Sequence, residues 1–334
     1  MILVTRNIGF LAVRLFVRTG VLPWFLIVTM VYFSLATEGF LTGENMFNVA
    51  RQSVYIVLVS MAHMIVLLTG GLDLSIGVII AMTSVISSLT MISVWSGTGA
   101  GIGAILAGCA AGLGAGTAIG AVNGIGVAVF RVPPFMMTFA ISWIAFGIIL
   151  IITEGLPVYG LPETFSNVLG YGTAGGVPVP AWIAIGLVIL IYVFIDRTRM
   201  GRYLYAIGGN RRTTELSGVA TRFYLFMAYV MTGALTSLAA IMLTARLGGG
   251  EPVAGMHYPF LTLVACLISG VSFFGGVGRV QNVVMGALFI MLVENGLAKL
   301  GLTSYIHTVV ISALLIFAII ANNYRQKLLL TIRI

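Results

Sequence analysis

The sequence predicts an all-α, polytopic membrane protein with about ten transmembrane helices and one short helix at the cytoplasmic surface. Two observations support this fold class. Of the 334 residues, 60% are hydrophobic and 8% are charged, whereas a soluble domain carries roughly 25% charged residues. The apolar residues also fall into separate runs, most of them close to the ~20 residues that cross a bilayer once. We therefore expect a single transmembrane domain over residues 1–334.

The apolar runs predict ten spans, separated by short connections. They cover residues 19–37, 52–69, 74–94, 101–129, 135–153, 181–195, 223–245, 258–274, 280–300 and 304–321. Arg6, Arg14 and Arg18 precede the first run as in a signal peptide, but no small-residue cleavage site follows, which favours a retained first span. An even number of spans places both termini on the same side of the membrane.

The basic residues predict which side that is. With cytoplasmic termini, fourteen of the seventeen lysines and arginines lie inside, and only Arg51, Arg246 and Lys299 lie outside. The same distribution argues against nucleic-acid binding, because the basic residues occupy short connections and do not gather on a folded polar face. Residues 154–180 then form a long outer connection. Contact with an extracytoplasmic partner, a short helix lying on the outer face and an ordered lid without a partner all remain open.

The longest polar passage covers residues 197–222 and lies inside on this topology. Gly208 and Gly209 followed by Asn210 predict a helix break, with Asn210 as the N-cap of a helix over residues 211–217 and Gly218 as its C-terminal stop. Such a capped helix between two spans predicts a docking surface, although the arginines could serve topology alone. The candidate docking residues are Gly208, Gly209, Asn210, Arg211, Arg212, Glu215, Leu216, Ser217 and Gly218.

Glycines recur at every fourth position of residues 101–129, at 108, 112, 116, 120 and 124. Because four residues overshoot one helical turn by ~40°, these glycines wind around the helix and do not form one straight stripe. The spacing predicts close packing against more than one neighbouring helix.

A few polar and aromatic residues inside the apolar runs are candidates for a substrate pathway. Gly70 and Gly71 before Asp73 and Ser75 predict a broken helix, at which Asp73 and Ser75 either cap the next helix or contact a transported solute. His63 is expected to be a core residue, and Cys109 and Cys266 small buried ones. The pathway candidates are Asp73, Ser75, Asn123, Phe135, Trp143 and Asn295.

Sequence motifs for catalysis are missing. The chain has no G-x-x-x-x-G-K-[ST], no H-E-x-x-H and no G-x-S-x-G. We therefore predict no catalytic residue, no cofactor and no metal site. The acids and histidines within the spans are too scattered for an evident ion-coupling relay, so a transporter of this kind would need a partner that supplies energy.

Several short motifs follow one another between residues 45 and 322. They are GGLDLSIG at 70–77, PF at 134–135 with Thr138, RMGR at 199–202, AIGGN at 206–210, SGV at 217–219, GVSF at 270–273, GGVG at 275–278 and NGL at 295–297. Together they resemble the membrane permease subunits of ribose- and galactose-type ATP-binding-cassette importers.

This resemblance implies a bacterial inner-membrane permease for a monosaccharide or similar small polyol. It also implies a cytoplasmic ATP-binding subunit docked on residues 210–219, a periplasmic sugar-binding protein, and a second copy or sister permease in the bilayer. An ion-coupled secondary transporter of a small polar solute is the alternative. The chain departs from the family pattern after Tyr258, where Pro259-Phe260-Leu261 replaces a stretch with two acids. A changed substrate, a changed partner or a supporting role in a heterodimer would each explain that departure.

Overall fold

The computed structural model describes residues 22–99 and 101–332, with side chains as far as residue 320. The basic segment with Arg6, Arg14 and Arg18, the first residues of the first predicted span, and Arg333 lie outside the described residues.

Helices form nearly all of the described chain. They are α1 (Leu22–Ala36), α2 (Gly43–Leu68), α3 (Ile76–Thr98), α4 (Gly101–Ala128), α5 (Pro134–Thr153), α6 (Glu163–Phe165), α7 (Val179–Arg197), α8 (Arg199–Leu216), α9 (Thr221–Leu247), α10 (Tyr258–Ile268), α11 (Val280–Lys299) and α12 (Ser304–Ile332). Helix α6 runs into a π-helical turn over Ser166–Gly170, and the two-residue strands β1 (Thr173–Ala174) and β2 (Val177–Pro178) pair antiparallel.

Each of the ten predicted spans overlaps one of these helices. Helices α2, α3, α4, α5, α7, α9 and α11 are long and apolar enough to cross a membrane, whereas α1, α10 and the apolar part of α12 are shorter. Helix α10 has 11 residues, which amounts to ~16 Å against a hydrocarbon core of ~30 Å. The expected span over residues 258–274 therefore ends early as a helix, and a turn with Gly270, Gly275 and Gly276 at positive φ follows it.

Helix α2 is the centre of the structure. Every residue from Ser53 to Leu68 is buried, as expected for a helix that is apolar all round. Helices α7, α9, α10 and α11 pack around it. His63 of α2 lies fully inside this core, where its Nδ1 is 2.9 Å from the Thr262 hydroxyl of α10. The predicted core position of His63 is confirmed.

The glycines of α4 confirm the prediction of close packing with more than one helix. All five are buried. Gly112 faces the backbone and side chain of Thr83 in α3, whereas Gly124 faces the backbone of Phe226 in α9. The glycine row thus begins against α3 and ends against α9, which is the change of face that the four-residue spacing predicts.

The connection over residues 154–180 is folded against the end of α9. Phe165 is buried, and the Tyr171 hydroxyl donates to the backbone oxygen of Arg246 at 2.9 Å. A Cβ at Gly170 would lie 2.5 Å from the backbone oxygen of Ala245. The connection is therefore an ordered cap on α9, and it contains the short helix α6.

Candidate docking helix and substrate pathway

Asn210 divides α8 into a long first part and a two-turn second part. Its backbone is extended, at φ −160° and ψ 99°. Its side-chain oxygen accepts a hydrogen bond from the backbone N–H of Thr213 at 3.0 Å, which is the bond that an N-cap residue makes. The predicted cap is confirmed. Gly208 and Gly209 remain helical, however, so the break is one residue long and Asn210 alone provides it.

The second part of α8, which we call the docking helix (residues 211–216), ends where the sequence predicts. Gly218 has φ +81°, a conformation that glycine adopts without steric cost. Its N–H donates to the backbone oxygen of Glu215 at 3.0 Å. The docking helix is therefore capped at both ends by residues of this chain.

The charged side chains of the docking helix are only partly paired. The Glu215 carboxylate accepts from the Thr221 hydroxyl at 2.7 Å and from Arg211 at 3.4 Å. The bond from Thr221, followed by that from Arg211, lowers the pKa of Glu215. Arg212 is exposed, Leu216 is 75% exposed, and neither contacts another charged or aromatic group in the described part of the chain. The helix thus presents one cation and one large apolar side chain to its surroundings.

Three glycine-containing segments meet where the docking helix joins the rest of the protein. A methyl group at Gly208 would overlap the backbone oxygen of Leu68 and the backbone N–H of Gly276. That N–H donates to the same Leu68 oxygen at 2.9 Å, and a Cβ at Gly275 would lie 2.6 Å from the backbone nitrogen of Gly70. We call this meeting point of Gly208, Gly70 and Gly275 the glycine junction. It places α8 directly against the turns that follow α2 and α10.

A cavity of about 540 Å³ opens beside the docking helix. Its lining residues come from the turn after α2, the turn between α4 and α5, the docking helix and α9. They are Thr69, Gly70, Gly71, Val127, Arg131, Val132, Pro133, Pro134, Arg211, Arg212, Glu215, Leu225 and Tyr229.

The first three pathway candidates form one buried polar cluster next to this cavity. An oxygen of the Asp73 carboxylate accepts from the backbone N–H of Ser75 at 2.8 Å and also from the Ser75 hydroxyl. Asn123 donates to that hydroxyl at 2.7 Å. The second carboxylate oxygen of Asp73 and the amide oxygen of Asn123 have no hydrogen-bond partner among the described residues. Because unpaired buried acceptors are costly, these two oxygens are the groups of the cluster that are available for a further hydrogen bond.

The sequence left two roles open for Asp73 and Ser75, capping of the next helix and contact with a transported solute. The structure shows which capping bonds these two residues make. Ser75 occupies the N-cap position of α3, but its hydroxyl makes no capping bond. Asp73 instead stabilises the turn through its bond to the N–H two residues later, as in an Asx-turn. A side-chain cap from Ser75 is therefore wrong, and Asp73 combines a structural bond with a free carboxylate oxygen.

Two hydroxyl groups on α5 support the unwound segment before α3. Thr138 accepts from the backbone N–H of Leu74 at 3.1 Å, and Ser142 donates to the Leu74 backbone oxygen at 3.1 Å. The sequence reasoning did not assign this role to either residue. Their separation by one helical turn within an otherwise apolar helix was the available signal, because it places two hydroxyl groups on one face.

The remaining pathway candidates lie apart from the cluster. Phe135 and Trp143 are exposed on α5, in a row with Phe139 whose successive ring centroids are 5.9 and 6.2 Å apart. Asn295 exchanges two amide hydrogen bonds with Asn45, of 2.8 and 3.1 Å. Asn45 lies in the first turn of α2 and Asp73 follows the end of this helix, so Asn295 and Asp73 lie at opposite ends of a helix of 26 residues. The structure therefore does not bring the six candidates into one site.

Comparisons with known proteins agree with the resemblance. Residues 45–319 match the family model described as branched-chain amino acid transport system / permease component. The chain is 34% identical to the D-allose transport system permease protein of Escherichia coli, over 90% of each chain. It is 35% identical to the E. coli ribose import permease protein, over 90% of this chain and 92% of the relative. It is 32% identical to the E. coli L-arabinose transport system permease protein, over 78% and 77%. No solved structure matches.

Proposed function

Because the chain belongs to the family of branched-chain amino acid transport system permease components, we propose that it is the membrane permease of an ATP-driven importer of a monosaccharide or small polyol. The observation that carries this proposal is its similarity, over nine-tenths of both chains, to permeases for ribose and D-allose. A third relative transports L-arabinose. The family description names amino acids, whereas these relatives all handle sugars, so a sugar is the better-supported cargo.

Energy for transport would come from a separate cytoplasmic ATP-binding subunit. The sequence has no phosphate-binding loop of its own. The docking helix suits such a subunit, because its caps fix its geometry and it exposes Arg212 and Leu216. The arginine and lysine distribution supports a cytoplasmic location for this helix and for both termini. An ion-coupled transporter lacks support, since neither the family nor these relatives point to one.

The cargo would pass along the face where the unwound segment after α2 meets α5. Discontinuous helices are used for substrate binding in transporters, and Asp73 and Asn123 each keep a free acceptor there. The exposed aromatic row that includes Phe135 and Trp143 would complete the pathway against a second permease copy or a sister permease, because flat rings suit the apolar faces of sugars. A periplasmic sugar-binding protein would meet the ordered outer cap over residues 154–180.

A pull-down from native membranes in mild detergent tests the partner assignment. The intact tagged chain is compared with a chain whose residues 211–218 are replaced by a Gly/Ser linker. We expect an ATP-binding protein with the intact chain and none with the linker chain, while both chains elute as folded particles on size exclusion. Recovery of no ATP-binding protein with the intact chain, together with uptake that follows an ion gradient, would contradict the proposal.

Asp73→Asn is expected to reduce sugar uptake roughly tenfold or more in proteoliposomes, because a hydrogen bond to a charged group contributes about 1.5–3 kcal/mol. Asparagine keeps the oxygen that accepts from Ser75, so the turn before α3 should persist and the unfolding temperature should change little. Asp196→Asn makes the same chemical change at the end of α7 and serves as the control. Normal uptake by Asp73→Asn would restrict Asp73 to its structural bond.

A further inference from the structure

The turn between α4 and α5, residues 129–133, stands next to the docking helix. Arg131 of this turn lines the same cavity as Arg211 and Arg212. The family resemblance implies docking on residues 210–219 alone, and Arg131 is one of the fourteen basic residues that predict the topology. Two separate cytoplasmic connections therefore form one basic surface.

The charges of this cavity are unbalanced. Its lining has three guanidinium groups and one carboxylate, which leaves a net charge of +2. Glu215, the single acid, is already held by Arg211 and Thr221. Among the described residues Arg211 forms a salt bridge with Glu215, whereas Arg131 and Arg212 form no salt bridge. Two unpaired guanidinium groups face any occupant of the cavity.

The Tyr229 side chain forms part of the buried wall of the cavity. Tyr229 is fully buried, lines the cavity and has no hydrogen-bond partner for its hydroxyl among the described residues. Buried hydroxyl groups are normally paired. This hydroxyl lies beside the segment that follows α2, because a Cβ at Gly71 would be 2.7 Å from it.

The backbone of the turn is held by the end of α4, because the N–H of Val132 donates to the backbone oxygen of Gly126 at 3.0 Å. Arg131 has φ +59°, in the left-handed region that side-chain-bearing residues rarely occupy and that glycine adopts freely. A left-handed residue of this kind is a common ending of helices. The preceding residue, Phe130, is 73% exposed and lies outside both α4 and α5. An exposed aromatic residue beside an arginine is the composition typical of interface hot spots.

We propose that residues 129–133 form a second docking element for the ATP-binding subunit, which inserts an acidic side chain between Arg131 and Arg212 and covers Phe130. This inference rests on the proposed function. The occupant is assigned to that subunit because the docking helix itself forms one wall of the cavity. A partner that lies on the docking helix must then also meet Arg131.

The test measures the affinity of the ATP-binding protein recovered in the pull-down for the full permease chain in phosphatidylcholine nanodiscs, by biolayer interferometry. We expect Arg131→Glu to weaken binding roughly tenfold or more and Arg131→Gly severalfold. Arg199→Glu makes the same charge change at an exposed position outside the cavity and should stay within about twofold. The effect of Arg131→Glu should shrink as salt rises.

Arg131→Gly keeps the result interpretable if charge reversal disturbs folding, because glycine suits the backbone at this position. Unchanged affinity of both Arg131 variants would overturn the proposal. A loss that appears only in nanodiscs containing phosphatidylglycerol would also overturn it, by assigning the cavity to an anionic lipid headgroup. Failure of the unmodified permease to bind any ATP-binding protein would instead contradict the proposed function, so the two failures are distinguishable.

Discussion

Gly208→Ala is expected to reduce ATP-driven uptake at least tenfold, whereas Gly209→Ala should stay within about threefold of the unmodified chain. The two glycines are neighbours in the helical first part of α8 but differ in surroundings. A methyl group at Gly208 would overlap backbone atoms of Leu68 and Gly276, and a methyl group at Gly209 would meet nothing within 4 Å. Backbone atoms cannot rotate away, so the glycine junction must open to accept alanine at position 208.

Uptake, affinity for the ATP-binding protein and the unfolding temperature together locate the defect. Gly208→Ala should lower the unfolding temperature, because overpacking costs about 1–3 kcal/mol. It should bind the ATP-binding protein within severalfold of the unmodified chain, because the caps at Asn210 and Gly218 lie outside the junction. Low uptake with near-normal affinity would mean that the variant binds the ATP-binding protein but does not pass movement of α8 on to the turns after α2 and α10. Equal uptake by the two alanine variants would contradict this role of the junction.

The glycine junction explains how movement of the docking helix would reach the substrate pathway. Gly208 touches the last residue of α2, and the turn that follows leads within five residues to Asp73. Gly275 in the turn after α10 touches the same segment at Gly70. Close backbone contact leaves no soft side chain between these segments, so a displacement of α8 would be passed on to both turns.

Local features of the site were predictable from sequence because their causes lie within a few residues. Asn210 and Gly218 cap the docking helix through bonds to residues three positions away. The change of face along the α4 glycines follows from the helical repeat alone. In both cases the spacing of residues along the chain determines the local structure, and no contact with a distant residue is needed to predict it.

Contacts between distant parts of the chain could not be predicted in this way. The amide pair of Asn45 and Asn295 joins residues 250 positions apart. The glycine junction could not be predicted for the same reason, because Gly70, Gly208 and Gly275 lie far apart in the sequence. Hydropathy also failed to place the end of α10, because it measures apolar content and not helix continuity. The glycines from Gly270 to Gly278 were a visible signal of that turn.

Gly120→Ala is expected to destabilise the protein by about 1–3 kcal/mol, whereas Gly114→Ala should be neutral or slightly stabilising. A methyl group at Gly120 would overlap the backbone oxygen of Tyr229 in α9 and approach the Cα of Gly233 at 3.2 Å. At Gly114 nothing lies within 4 Å of the added carbon, and alanine favours a helix by roughly 0.5–1 kcal/mol relative to glycine. Close approach of two backbones at small residues is a main source of helix association in membranes.

Thermal unfolding of both variants in the same detergent separates packing from helix propensity, because each variant gains the same alanine in the same helix. The unfolding temperature should fall for Gly120→Ala and hold or rise for Gly114→Ala. The unfolding temperature of Gly233→Ala should fall as well, because the added Cβ would lie 2.5 Å from the backbone oxygen of Gly116. The double variant Gly120→Ala with Gly233→Ala should lose less stability than the sum of the losses in the two single variants. Once the helices separate for one methyl group, they have room for the other. Full additivity would mean that the two glycines do not share one contact between α4 and α9.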